Sequence, residues 1–229
     1  MNEIVDNFVA PTCLGEIRIL FKDEHLLLIS KPSGLLSLSG RNPLNKDSVH
    51  WRLGKEFPTA TLAHRLDLGT SGIMIVALNK QVNAHLTRQF QQRTVVKRYK
   101  AVLQGHLEKD NGVVDFPIAK DNALFPRLKI CSTTGKPALT HYRVEERLDS
   151  PARSVVCFKP ATGRTHQLRI HAQAMGHPIL GCDLYDDDNS QRLADRLMLH
   201  ATSLEFLHPV SGDKINAVCP CPFLVGPTS

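Results

Sequence analysis

The chain has 229 residues, 42% of them hydrophobic, with 28 Lys and Arg against 22 Asp and Glu and a formal net charge of +6. That length suits one large domain or two small ones, and an apolar fraction near the globular average of about 45–50% excludes a disordered chain. The longest apolar runs, at 26–29 and 73–78, fall far short of the roughly 20 residues that span a bilayer, and Glu3 and Asp6 stand where a secretory signal would carry positive charge. In chain order, apolar runs at 17–21 and 26–29 predict a hairpin split by Lys22-Asp23-Glu24-His25, closed by a turn at Lys31-Pro32-Ser33-Gly34. Residues 73–78 read as a strand covered on both faces, and 79–93 as a helix with Val82, Leu86 and Phe90 on one stripe. Tyr99, Ala101 and Leu103 alternate as in a half-buried strand. Further strands are expected at 139–144, 154–158, 203–207 and 214–218, and a helix at 165–175 that Gly176 can cap. Strands arrive mostly in succession, so the fold class is α+β with a mixed, largely antiparallel sheet. No repeat and no linker divides the chain.

The charge distribution says more than the total. Lys80, Arg88, Arg93, Lys97, Arg98 and Lys100 fall in a stretch without Asp or Glu, which points to a polyanion, most simply a nucleic acid, unless the stretch is only a solvated helix face. The acids of Asp183 and Asp186–Asp188 read as a surface loop. Cys13, Cys131, Cys157, Cys182, Cys219 and Cys221 have neither a disulfide framework nor zinc spacing, and suit the reduced thiols of a cytoplasmic protein. His166 and His171, five apart, lie on different faces of a helix and suit no metal. Gly-rich phosphate loops and dinucleotide turns are missing, so no metal, nucleotide or other cofactor is expected.

Three segments can carry chemistry. His64-Arg65-Leu66-Asp67-Leu68-Gly69-Thr70-Ser71-Gly72 runs into the strand at 73 and can aim its carboxylate into a cleft, although a lone Asp there is more often a turn former. Lys97-Arg98-Tyr99-Lys100 sets one aromatic among cations, as a base-stacking ring or as a core residue. Gly163-Arg164-Thr165-His166-Gln167-Leu168-Arg169-Ile170-His171 places cations on the first turns of a helix, against its dipole, so an anion of the protein or of a ligand must compensate.

Together HRLDLGTSG, KRY and GRTHQLRIH, with KPSGLLSLSGR and Thr134-Gly135-Lys136-Pro137-Ala138, resemble the motifs of the RluA group of RNA pseudouridine synthases. The resemblance runs from about Ile17 to about Pro222. It implies a short lead at 1–16, a catalytic domain at 17–222 and a tail at 223–229, without the S4-type RNA-binding domain that some relatives carry. The fold implied is a long bent mixed sheet with flanking helices and the cleft across it. By the same resemblance Asp67 is the catalytic aspartate, Tyr99 the tyrosine that packs on the target base and is implicated in removing its C5 proton, and Arg169 the base that ion-pairs with the aspartate. Leu168 lines the pocket, Arg65 fills the gap left in the RNA by the flipped uridine, and His64 and Arg164 complete the substrate-binding set. The partners implied are hairpin loops of large-subunit rRNA and the tRNA anticodon stem-loop, met by a monomer.

The reaction breaks N1–C1′, turns the uracil and joins C5 to C1′, with a proton leaving C5 and one returning to N1. A carboxylate can serve as nucleophile at the sugar or the base, or can abstract a sugar proton. The base must leave its stack, which costs a few kcal/mol and least in a loop. A non-catalytic RNA-binding or remodelling protein with the same basic cleft is the competing reading. It would gain nothing from an acid facing a polyanion.

Overall fold

The computed structural model describes residues 8–124, 126–185 and 192–223. β1 (Arg18–Lys22) and β2 (Leu26–Lys31) form the expected antiparallel hairpin, and the Asp23 carboxylate accepts from His25 N–H and Leu26 N–H at 2.7 and 2.8 Å in its turn. Short elements follow, α1 (Val49–Gly54) with Ser48 as its cap and β3 (Thr61–Leu62). β4 (Ser71–Ala77) is buried throughout, as a continuous apolar run requires. α2 (Lys80–Gln91) begins where the Asn79 side chain accepts from Val82 N–H, and it buries Val82 and Leu86.

β5 (Val96–Gln104), β6 (Asn111–Asp115), β7 (Ile118–Lys120), β8 (Leu128–Ile130), β9 (Leu139–Asp149) and β10 (Ala152–Pro160) precede α3 (Gln167–Ala174), and β11 (Leu199–Leu207) and β12 (Lys214–Val218) end the fold. Ten strands make one sheet in the order β1-β2-β4-β11-β5-β10-β9-β6, with β3 added to β4 and β12 to β11, while β7 and β8 pair separately. Among the named strands only β4 and β11 pair in parallel, which makes the sheet mixed and largely antiparallel. No described helix is long and apolar enough to cross a membrane.

β5 departs from the half-buried expectation. Ala101, Val102 and Leu103 point alternately to both faces and are all buried, because β5 lies between β11 and β10 in the middle of the sheet. Two cores result. One gathers β2, β4, α1 and α2; the other gathers β5, β10 and α3 with Tyr185. Tyr99 packs against both.

The parallel contact between the halves is two residue pairs long, Ser71 with His200 and Gly72 with Ala201. A chain of polar groups reinforces it. Arg196 Nη2 donates to Ser71 Oγ at 2.6 Å, Ser71 Oγ sits 2.7 Å from His200 Nδ1, and His200 Nε2 lies 3.2 Å from the Cys219 carbonyl. With the serine proton directed to Nδ1 and the Nε2 proton to the carbonyl, His200 has no place for a second proton. Burial, aided by Arg196, lowers its pKa to about 4.

Candidate active site

Asp67 sits in the loop between β3 and β4, and the segment from Lys31 to Ser37 grips that loop by its backbone. Ser37 Oγ donates to Leu66 O at 2.7 Å, Ser33 Oγ to Gly69 O at 2.7 Å, and Gly34 N–H to Leu68 O at 2.9 Å. Gly34 makes this turn at φ 79°. Lys31, fully buried, donates from Nζ to Leu35 O, Pro32 O and Leu68 O at 2.6, 2.9 and 3.2 Å. Burial pulls its pKa down to about 7, against the opposing charges of Cys13 and Asp67. With its backbone carbonyls so committed, the loop holds the Asp67 side chain in one place. Among the described residues nothing donates a hydrogen bond to the Asp67 carboxylate, so its lone pairs stay available.

That carboxylate faces a recess of about 100 Å³, lined also by Arg65, Thr70, Tyr99, Arg164, Leu168, Arg169 and Leu199. Burial, with the charge of Asp67, pushes the Tyr99 phenol above its usual pKa. It is therefore a neutral hydroxyl, not a resident phenolate. Arg169, 4% exposed, is clasped: Nε and Nη2 each donate to Cys182 Sγ at 3.3 Å, Nη2 also meets the Asp183 carboxylate, and the guanidinium lies 5.2 Å from the Tyr185 ring centroid. Burial opposes its charge, but Cys182, Asp183 and Asp67 outweigh burial and raise its pKa.

Here the resemblance needs a correction. Among the described residues Arg169 makes no direct ion pair with Asp67; its carboxylate partner is Asp183, which competes from closer range, and Asp67 acts on it through space. Asp183 is thus not an idle loop acid but the compensating anion that the cations on α3 demanded; Asp186–Asp188 lie outside the described residues.

The recess opens into a cleft of about 880 Å³, walled by residues 36–40, 64–68 and 161–166 together with Phe90, Arg93, Lys97 and Tyr99. All seven residues singled out from the sequence line the recess or the cleft. Arg65 is exposed and Arg164 donates from Nε to Pro137 O at 3.0 Å. His64 differs from the others, because its ring is committed to the fold. It stacks on Phe90 at 4.5 Å, and its Nε2 accepts from Ile75 N–H at 3.0 Å. Burial, with Lys97 nearby, lowers its pKa to about 3, as a ring nitrogen that must accept requires.

α3 starts at a strained residue, His166, with φ 55°. Tyr185 Oη, which already accepts from Leu128 N–H, has its own proton left for His166 Nδ1 at 2.7 Å. Gln167 uses its whole amide: Oε1 accepts from Thr162 Oγ1 and Arg164 N–H, and Nε2 donates to Leu139 O and Thr140 Oγ1. His171 bonds elsewhere, to Thr140 Oγ1 and Phe116 O, and no three His, Cys, Asp or Glu side chains converge as a metal site among the described residues.

The basic run does not form one patch. Arg93 and Lys97 line the cleft, whereas Arg98 is paired with Glu205 and Lys100 with Glu145. Lys31, Asp183 and Tyr185 were missed as site residues, and only Lys31 left a local signal, a cation closing an apolar strand.

A fold that brings a carboxylate, a neutral phenol and a caged guanidinium into one recess of an open mixed sheet has known counterparts. Residues 25–174 match the RNA pseudouridylate synthase family, and the chain belongs to it. It is an isomerase that makes pseudouridine in RNA. In particular it is similar to the dual-specificity RNA pseudouridine synthase RluA of Yersinia pestis, 45% identical over 90% of this chain and 99% of the relative, and to that of Salmonella typhi, 45% identical over 90% and 93%. Among solved structures it is similar to human RNA pseudouridylate synthase domain containing 1, with TM-score 0.78 and 31% identity over 93% of this chain and 87% of that one. The corresponding human domain containing 4 gives a TM-score of 0.70 and 27% identity over 90% and 89%.

Proposed function

We propose that the chain isomerises specific uridines in structured hairpin loops, both of large-subunit rRNA and of the tRNA anticodon stem-loop. The dual specificity of the relatives supports the pair of substrates. The observation that carries the site assignment is the Asp67 carboxylate, its loop fixed by a backbone cradle and, among the described residues, without a hydrogen-bond donor in the recess beside Tyr99 and Arg169. In this reading one domain over 17–222 acts as a monomer in the cytoplasm, consistent with its six free cysteines.

The flipped uridine enters the recess, and Arg65, exposed at the rim, takes its place in the RNA. Asp67 starts the reaction at the sugar or the base. Arg169 stands beside Asp67 in the recess, held through Nε and Nη2 by Cys182 and Asp183. Tyr99 packs on the uracil and exchanges a proton with it as the neutral phenol, while Leu168 excludes water. Nothing is oxidised and no group leaves the nucleotide, so the chemistry calls for no cofactor.

Asp67→Asn tests this reading. Turnover of a uridine-labelled hairpin should fall by on the order of 10⁴-fold or more, with RNA affinity kept, because a nucleophile and a charge that repels phosphate are both lost. Measurable pseudouridine formation by the purified variant would overturn the assignment of Asp67 and put the catalytic group elsewhere.

A further inference from the structure

The cations of β5, β9 and β10 divide into two groups. Arg98 pairs with Glu205, Lys100 and Arg143 with Glu145, and Arg147 with Asp110. Lys97, His141 and Lys159 have no carboxylate partner among the described residues, nor does Arg93 just before β5; Arg153, at the other end of β10, is the remaining base of these strands without one.

The four unpaired groups near the cleft meet. Arg93, Lys97, His141 and Lys159 line a groove of about 380 Å³ together with Val95, Val96, Pro160 and Ala161, and no Asp or Glu enters its wall. Arg93, Lys97 and Ala161 also wall the cleft, so groove and cleft share a rim. Lys159 stands directly opposite His141 on the β10–β9 ladder, a pair of bases that gain nothing from each other. Arg93 holds a left-handed φ of 60° just past the end of α2, where glycine is the ordinary residue, so a strained backbone presents this guanidinium at the shared rim. Burial and Arg93 together depress the Lys97 pKa, a cost that an anion in the groove would relieve.

We propose that this groove is a second RNA site, holding the phosphodiester backbone of the strand that flanks the flipped uridine. It rests on the reading of the recess as the uridine site and extends it outward. Arg93 and Lys97 receive the strand as it leaves the cleft, and His141 and Lys159 hold it further on. Contacts of this kind position the substrate and read no bases.

The test compares wild type with Lys159→Gln, His141→Gln and the double variant, measuring both hairpin binding and turnover between 50 and 200 mM salt. Both side chains are exposed on strands, so the fold should survive. Loss of the Lys159 phosphate contact should lower the slope of log affinity against log salt by about 0.7–0.9, so that the wild-type advantage shrinks about threefold over that range. KM should rise with kcat unchanged, and Lys159→Arg should restore KM. On a hairpin trimmed of its flanking nucleotides, variant and wild type should converge. Unchanged slope and KM in an active enzyme would overturn the groove, as would a loss confined to kcat. A wild type that makes no pseudouridine while the variants still lose binding slope would instead overturn the catalytic reading and leave the groove standing.

Discussion

Arg169 and Asp67 share a recess, yet the guanidinium spends its hydrogen bonds on Cys182 and Asp183. A cation so held can stand beside the carboxylate while leaving its lone pairs open to the nucleoside. Tyr99 is the complementary case, a phenol kept neutral by burial and by that same carboxylate. Tyr99→Phe should therefore bind a hairpin within about twofold of wild type, because the ring still packs, while single-turnover isomerisation slows by about 10²-fold or more with loss of the hydroxyl. A variant with the wild-type rate would make Tyr99 a packing residue between the two cores.

At the scale of elements, β4 approaches β11 so closely that one residue decides the contact. A Cβ on Gly72, at φ 117°, would lie 2.2 Å from Ala201 O. Gly72→Ala should cost about 3 kcal/mol or more of unfolding free energy measured by urea denaturation, since backbone rather than a flexible side chain must move; a loss under about 1 kcal/mol would show that the two strands can part without harm. The HRLDLGTSG string drew attention to this glycine, but the reason for it lies far along the chain in Ala201 and has no local trace. Elements with local signals were readable: the hairpin from its split apolar runs, and α2 from the stripe of Val82, Leu86 and Phe90. β6, β7 and β8 are short and mostly exposed, and they carry too little apolar pattern to be seen. The motif marks Arg169, whereas the sequence around its partner Asp183 marks only a loop acid, because only the folded chain brings the two together.

For the molecule as a whole, buried imidazoles set an acid limit. His64 and His200 hold folded pKa values of about 3 and about 4, against about 6.5 in an unfolded chain. Below pH 6.5 the unfolded state takes up protons that the folded state refuses, so stability falls on acidification, by roughly 1 kcal/mol per pH unit for each histidine at the steepest. Urea midpoints measured from pH 7 to pH 4.5 should decline steadily, and His200→Gln should flatten the profile; a constant midpoint across that range would show that neither ring is held neutral. The short ladder between β4 and β11 has a consequence in time. In the sheet order, β11 is the strand that joins the half containing β4 to the half containing β5, and its link from Ser71 to His200 spans 129 residues. Chain-closure entropy rises only with the logarithm of that span, but the search for so distant a partner is slow. As the chain leaves the ribosome, Asp67, Tyr99 and Arg169 all emerge before β11, with no ladder between their two halves. The recess, whose wall includes Leu199, is completed last. An enzyme made in the midst of RNA thus lacks its pocket until β11 has emerged and docked between β4 and β5.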